Sequence, residues 1–85
     1  MDYESLELLK KIASLGKSAI ITIGKNRSTI CAVAKVDEAN NRIICLTKKG
    51  IGLFTKQKMN LEDILKAVSN AYVIPFNEIL NVKAT

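Results

Sequence analysis

The chain of 85 residues contains no histidine and no tryptophan, and it has one proline and only four aromatic residues. Without histidine, a CxxC motif or an acidic cluster, the sequence offers no recognisable metal site. Neither of the two cysteines has a base beside it, so we predict no catalytic residue, no cofactor and no enzymatic activity. Four aromatic side chains are also too few for a broad base-stacking surface.

Long apolar runs are missing as well. No stretch of about 18 apolar residues could span a bilayer, and the first residues are acidic and amphipathic, unlike a signal peptide. We therefore expect a soluble, cytoplasmic protein with no membrane partner. Residues 1–85 predict a single domain, and because so small a domain buries a limited core, oligomerisation would help to stabilise it.

The two cysteines, Cys31 and Cys45, both lie in apolar strand patterns. A free cysteine in such a pattern behaves as a small hydrophobic residue, so the sequence favours core packing for both. A disulfide or a reactive pair is the alternative.

Apolar periodicity gives the order of the elements. A helix with one apolar face precedes three strands joined by two short turns, and Gly16 suits the position just after the helix. The predicted elements are a helix at 2–15, strands at about 17–23, 29–36 and 42–47, a helix at 60–71, and strands at about 72–74 and 78–83. Pro75 separates the last two strands because proline cannot donate to a central ladder. Short, aliphatic, consecutive strands favour a small barrel, since closure removes unpaired edges.

The segment 48–58 contains most of the net charge of +5. It has four lysines, no acid and two glycines, and we predict a strand end and a loop. Such a segment is either a solvated basic surface or a contact for a polyanion. Asn60 follows as the predicted N-cap of the helix at 60–71.

Two motifs resemble those of the Sm-like, or LSm, proteins. The first has two alternating apolar residues, a turn with a basic residue, an apolar strand, an Asp, an Asn four residues later and a final apolar pair. Here its positions are Ile21, Ile23, Arg27, Val33, Asp37, Asn41, Ile44 and Leu46, and the apolar frame of the second motif is Ile74, Ile79 and Val82. The chain departs from the family at Asn26 and Cys31, where glycine is usual, at Pro75-Phe76, where Arg-Gly is usual, and at Ala39, where a stacking side chain is common.

The resemblance implies a mostly β fold with some α structure. An N-terminal helix would precede a bent five-stranded antiparallel Sm-like (SH3-like) small barrel, with an extra helix inserted between strands 3 and 4. It also implies a ring-shaped homo-oligomer that engages single-stranded RNA. The candidate RNA-binding residues are Asp37, Asn41, Arg27, Lys25, Phe76, Lys48, Lys49, Lys56 and Lys58. In this interpretation Asn41 contacts a base edge, Asp37 orients Asn41, Phe76 stacks on the base, and the basic residues contact phosphate.

Other interpretations stay open. Asp37 and Asn41 could simply hold a turn through side chain to backbone hydrogen bonds, and Phe76 could be buried. The protein could be an oligomeric protein-interaction scaffold with a degenerate nucleotide pocket, as Pro75, Phe76 and Ala39 suggest. Non-specific DNA binding through the basic segment is a third possibility.

Overall fold

A five-stranded antiparallel sheet with helices on both faces forms the fold in the computed structural model, which describes residues 1–85. The elements in chain order are α1 (Tyr3–Ser14), β1 (Ser18–Gly24), β2 (Arg27–Asp37), β3 (Arg42–Leu46), α2 (Lys48–Thr55), α3 (Leu61–Leu65), β4 (Ala71–Pro75) and β5 (Asn81–Ala84). A first 3-10 turn covers Glu38–Asn40 and a second covers Phe76–Glu78. The predicted N-terminal helix and five antiparallel strands are confirmed.

Helix α1 has clear signals at both ends. The Asp2 carboxylate accepts a hydrogen bond from the Ser5 N–H (2.8 Å), which satisfies one of the free donors of the first turn. Gly16 follows the helix with a φ of 65°, in the left-handed region that suits glycine. Leu9 and Ile12 are buried against the sheet, so one apolar face holds the helix in place.

The sheet has the strand order β4-β3-β2-β1-β5 and is strongly bent. The first half of β2 pairs with β1 and the second half with β3, with an irregularity between Val33 and Lys35. Pro75 at the end of β4 and Asn81 at the start of β5 lie at opposite ends of this pairing. Because only residues 76–80 connect them, the two ends of β2 must curve towards each other.

The closing ladder of a barrel is not formed, however, and β4 and β5 are the two edges of the sheet. Two backbone donors of the β4–β5 connection bond elsewhere, one just before β3 and one in β1. The Phe76 N–H donates to the Asn41 carbonyl oxygen (2.8 Å), and the Leu80 N–H donates to the Thr22 carbonyl oxygen (2.8 Å). The second 3-10 turn also delays β5, which starts at Asn81 instead of the predicted position near residue 78.

Two apolar clusters cover the two faces of the sheet. The larger lies under α1 and contains Leu9, Ile12, Ala19, Ile21, Cys31, Val33, Ile43, Cys45, Ile74, Ile79 and Val82. The smaller lies under α2 and α3 and contains Ile44, Leu46, Ile64 and Ala71. Cys31 and Cys45 are fully buried in the larger cluster, as the preferred prediction required, but they are also joined by a disulfide, which was the alternative.

The segment between β3 and β4 differs from the prediction. Residues 48–55 form helix α2 and not a loop, because Thr47 caps the helix by accepting from the Gly50 N–H (3.2 Å). Gly50 is buried where a Cβ atom would collide with the Asn70 carbonyl group, so the glycine lets α2 approach the chain closely.

Helix α3 is shorter than the predicted helix at 60–71. Asn60 caps it as predicted, accepting from the Asp63 N–H (2.9 Å), but the helix ends at Leu65. The Asn70 carbonyl oxygen accepts from the Thr47 N–H (2.9 Å), which ties the segment after α3 to the end of β3. None of the helices is both long and apolar enough to cross a membrane.

Candidate nucleic-acid interface

The two predicted motifs meet at a cleft between the 3-10 turns, which we call the asparagine cleft. It is lined by Met1, Asn40, Asn41, Pro75, Phe76 and Asn77 and has a volume of about 580 Å³. The hydrogen bond from the Phe76 N–H to the Asn41 carbonyl oxygen holds the two turns together. Asn41 and Phe76, which are 35 positions apart in sequence, therefore lie at one site.

Asn41 presents a free amide at this cleft. Its φ of 50° lies in the left-handed region, which asparagine tolerates better than most residues. Its side chain is exposed and makes no hydrogen bond within the chain, so both the carbonyl and the amino group are available to a ligand. Phe76 is half-buried against the larger apolar cluster, which leaves part of its side chain at the cleft.

Asp37 does not orient Asn41, contrary to the prediction. Its carboxylate accepts one hydrogen bond from the Asn40 amide and one from Arg42 Nε, both at 2.9 Å. These two hydrogen bonds, with the Arg42 charge, hold the pKa of Asp37 below its ordinary value of 3.8. Asp37 therefore organises the first 3-10 turn and the start of β3 through side chain to side chain hydrogen bonds, and not through the side chain to backbone bonds of the structural alternative.

The surroundings of the asparagine cleft are acidic. Asp37, Glu38, Glu78 and Asp2 each lie within or beside an element that lines it. The nearby cations are already paired, since Arg42 Nε contacts Asp37 (2.9 Å) and Lys10 Nζ contacts Glu38 (3.1 Å). This cleft thus suits an uncharged group, such as a base, better than a phosphate.

The basic residues of the 48–58 segment form a separate surface around α2, which we call the lysine surface. It consists of Lys48, Lys49, Lys56 and Lys58, all of which are exposed. None of them has an acidic partner, because the four ion pairs of the chain use Lys10, Arg42 and Lys66 as their cations. No acid occurs between Glu38 and Glu62, so the positive field here is not locally neutralised.

Beside the lysine surface, α1, β2 and α2 enclose a second cavity, the α1–α2 cleft, of about 280 Å³. Ala13, Ala32 and Ala34 line it with small side chains, while Ile51 and Phe54 contribute larger ones from α2. Lys17 also lines it and is exposed. This cleft was not predicted, because residues 48–55 were expected to form a loop and not helix α2. Thr47, which can cap a helix three residues before Gly50, was the sequence signal for the helix.

The two remaining basic residues of the prediction, Lys25 and Arg27, lie at the turn between β1 and β2. Both are exposed, and Asn26 between them takes the left-handed conformation (φ of 62°), which asparagine tolerates better than most residues. Gly24 pairs with Arg27 across the turn.

The predicted RNA-binding residues are thus brought together only in part. Asn41 and Lys48 flank opposite ends of β3, and at about 3.3 Å per residue this separation is about 20 Å. No group of three or more residues that could hold a metal ion is present.

Comparisons with known protein families, with curated proteins and with solved structures found no match to this chain.

Proposed function

We propose that the protein is an Sm-like RNA-binding protein that engages single-stranded RNA as a ring-shaped homo-oligomer. The lysine surface is the observation that carries this proposal. Four exposed lysines with no ion-pair partner concentrate positive charge on one side of the chain. Such a surface attracts the phosphate backbone and makes binding depend strongly on salt.

In this proposal the asparagine cleft contacts a base while the lysines contact phosphates. The free amide of Asn41 can donate to and accept from a base edge, and the partly accessible Phe76 offers an aromatic surface beside it. The acidic surroundings disfavour a phosphate there. A strand of RNA would therefore place its backbone away from Glu38 and Glu78 and insert only a base.

The unpaired edges of the sheet support the oligomer. Strands β4 and β5 each have one side without a ladder, and Val73 and Leu80 next to these edges are 42% and 66% exposed. Pairing β4 of one subunit with β5 of the next would satisfy both edges. Because the two surfaces differ, the contact is head-to-tail and closes into a ring when the rotation permits.

An oligomeric protein-interaction scaffold is the second candidate. It is favoured by the acidic surroundings of the asparagine cleft and by Ala39, which is exposed but has no side chain able to stack on a base. In that case, substituting Asn41 and Arg27 would leave partner binding unchanged.

The deciding experiment titrates single-stranded RNA against the protein over a range of salt concentrations. We compare Lys48→Gln/Lys56→Gln with Lys35→Gln/Lys66→Gln, which removes the same charge elsewhere. The first variant should weaken binding and reduce the salt slope by about 0.7 for each lost phosphate contact, and the second should change it little. Salt-independent binding, or no binding to any RNA, contradicts the proposal, and equal affinity for duplex DNA favours the non-specific alternative.

A further inference from the structure

The α1–α2 cleft places an accessible aromatic side chain beside the lysine surface. Phe54 lines this cleft from α2 and is 40% exposed, and Ile51 beside it is 39% exposed. The neighbouring Leu53 packs against the smaller apolar cluster, so α2 is anchored without the help of Phe54. Phe54 is therefore only partly used in packing, and its exposed part is accessible to a ligand.

The cleft stays open because the elements facing Phe54 have small side chains. Ala13 on α1 and Ala32 and Ala34 on β2 line it where larger residues would fill the space. Its volume of about 280 Å³ is near the lower limit of ordinary small-ligand pockets, which begin at about 300 Å³. A flat group of the size of one base suits such a space.

Among the aromatic residues, only Phe54 lies on the basic side of the chain. Tyr3 is in the acidic first turn of α1, Tyr72 packs against the larger apolar cluster, and Phe76 lines the asparagine cleft. Phe54 is followed in the chain by Lys56 and shares its cleft with Lys17. Neither lysine has an acidic partner within the chain.

We propose that the α1–α2 cleft accepts one base of a bound single strand, stacked on Phe54, while Lys17 and Lys56 contact the flanking phosphates. This inference rests on the proposed RNA binding and locates a base at a site distinct from the asparagine cleft. Aromatic side chains combined with a basic surface are the usual means of binding single strands.

The base at this cleft is held without reading its identity. Two hydroxyls line the cleft, those of Ser18 and Thr55, and the Thr55 hydroxyl already donates to the Ile51 carbonyl oxygen (2.7 Å). The rest of the lining is mostly apolar or a lysine, so few groups can distinguish one base from another by hydrogen bonds. We therefore expect similar binding of uracil, cytosine and adenine homopolymers at this site.

Fluorescence offers a direct test because the chain contains no tryptophan. Phe54→Trp introduces a single indole in the α1–α2 cleft, and Tyr3→Trp, which places one on the exposed acidic first turn of α1, is the matched control and should not be quenched. Titration with single-stranded oligonucleotides should quench the Phe54→Trp emission as the base stacks on it. Inorganic polyphosphate, which has charge but no bases, should bind without comparable quenching.

Affinity measurements complete the test. Phe54→Leu keeps an apolar side chain but removes the ring, so it should weaken single-stranded RNA binding about 10-fold and leave polyphosphate binding unchanged. Unfolding curves should show that both variants remain folded under the binding conditions, since Phe54 is 40% exposed and belongs to neither apolar cluster.

The results separate this inference from the proposed function. If the wild type binds RNA in a salt-dependent way but Phe54→Leu binds equally well and Phe54→Trp is not quenched, the Phe54 site is refuted and the proposed function stands. If the wild type binds no RNA at all, both proposals are refuted.

Discussion

At the residue scale, Asp37 links the pH dependence of stability to the turn before β3. Its pKa is lowered by hydrogen bonds from Asn40 and Arg42 that the charged carboxylate accepts. A lowered folded pKa means that the contribution to stability is complete above the ordinary value of 3.8 and is lost as the pH falls through the lower folded value.

We therefore expect Asp37→Asn to be less stable than the wild type at pH 7 and to approach it as the pH falls below about 3.8. Urea unfolding between pH 2 and pH 7 measures the difference. Glu4→Gln, on the exposed side of α1, is the control and should show no such convergence. A constant difference between the Asp37 variant and the wild type across this range would contradict the role of the carboxylate charge.

Gly50 and Gly52 both lie in α2, but we expect their substitution by alanine to have opposite effects on stability. A Cβ atom at Gly50 would collide with the Asn70 carbonyl oxygen, whereas at Gly52 it would meet nothing within 4 Å. Gly50→Ala should therefore destabilise the protein by about 3 kcal/mol, because the clash is with backbone and not with a flexible side chain. Gly52→Ala should stabilise it by about 0.5 to 1 kcal/mol, since alanine is the better helix former. Thermal or urea unfolding distinguishes them, and equal effects would show that α2 does not pack on Asn70 as described.

At the turn before β3, the sequence predicted the position of the turn but not its hydrogen bonds. The Asp37 and Asn41 positions marked the turn correctly, because short polar side chains favour such turns wherever they occur. The partners of Asp37 were not predictable, since Asn40, Asn41 and Arg42 are all close in sequence and only the structure shows that Asn40 and Arg42 donate to it.

At the scale of elements, the amphipathic helix and the strands were predictable from periodicity, whereas the β3–β4 connection was not. Helix α2 has only eight residues and contains two glycines, so its intrinsic helix propensity is poor. It is stabilised by the Thr47 cap and by packing on Asn70, which follows 20 or more positions later in the chain. Asn70 also accepts from the Thr47 N–H, so the segment after α3 is held by a long-range contact that the local sequence does not show.

The disulfide between Cys31 and Cys45 cross-links β2 and β3 inside the larger apolar cluster. The two residues are 14 positions apart, and closing a loop of this size in the unfolded chain contributes about 3 kcal/mol in the chain-entropy account. Disulfides are uncommon in a reducing cytoplasm, except in proteins of hyperthermophiles. Outside that exception, this bond is unfavourable to the expected cytoplasmic location.

Cys31→Ala/Cys45→Ala should therefore lower the free energy of unfolding by about 3 kcal/mol. Adding reductant to the native wild type should have little effect at first, because both sulfur atoms are buried, and unfolding in reductant should produce two reactive thiols. If protein purified without reductant already shows two thiols when it is unfolded, the pair serves only for packing.

At the scale of the whole molecule, charge is divided between two sides. Asp2, Glu38 and Glu78 lie within or beside the elements that line the asparagine cleft, whereas the four lysines of the lysine surface surround α2. This division was hidden in the sequence, where the net charge of +5 describes the average and the bend of the sheet decides which charges become neighbours. This division of charge favours an RNA whose backbone crosses the α2 side and which inserts only a base into the asparagine cleft.

The two unpaired edges of the sheet, β4 and β5, lead us to expect that the protein forms an oligomer. Unpaired strand edges with exposed apolar residues readily pair with another chain, and lysine on an edge opposes such pairing. Val73 is 42% exposed on β4, while Val68 is 89% exposed but lies outside every strand. Val73→Lys should therefore reduce the native mass towards that of a monomer, and Val68→Lys, with the same change of charge, should leave it unchanged.

Native mass spectrometry or light scattering should be recorded with and without nuclease and high salt. A mass of several subunits that persists after nuclease treatment and is lost only in Val73→Lys identifies edge pairing as the basis of assembly. If nuclease alone produces monomers, RNA holds the subunits together. A wild-type monomer under all conditions removes the ring from the proposed function and leaves the lysine surface of a single chain as the part that binds RNA.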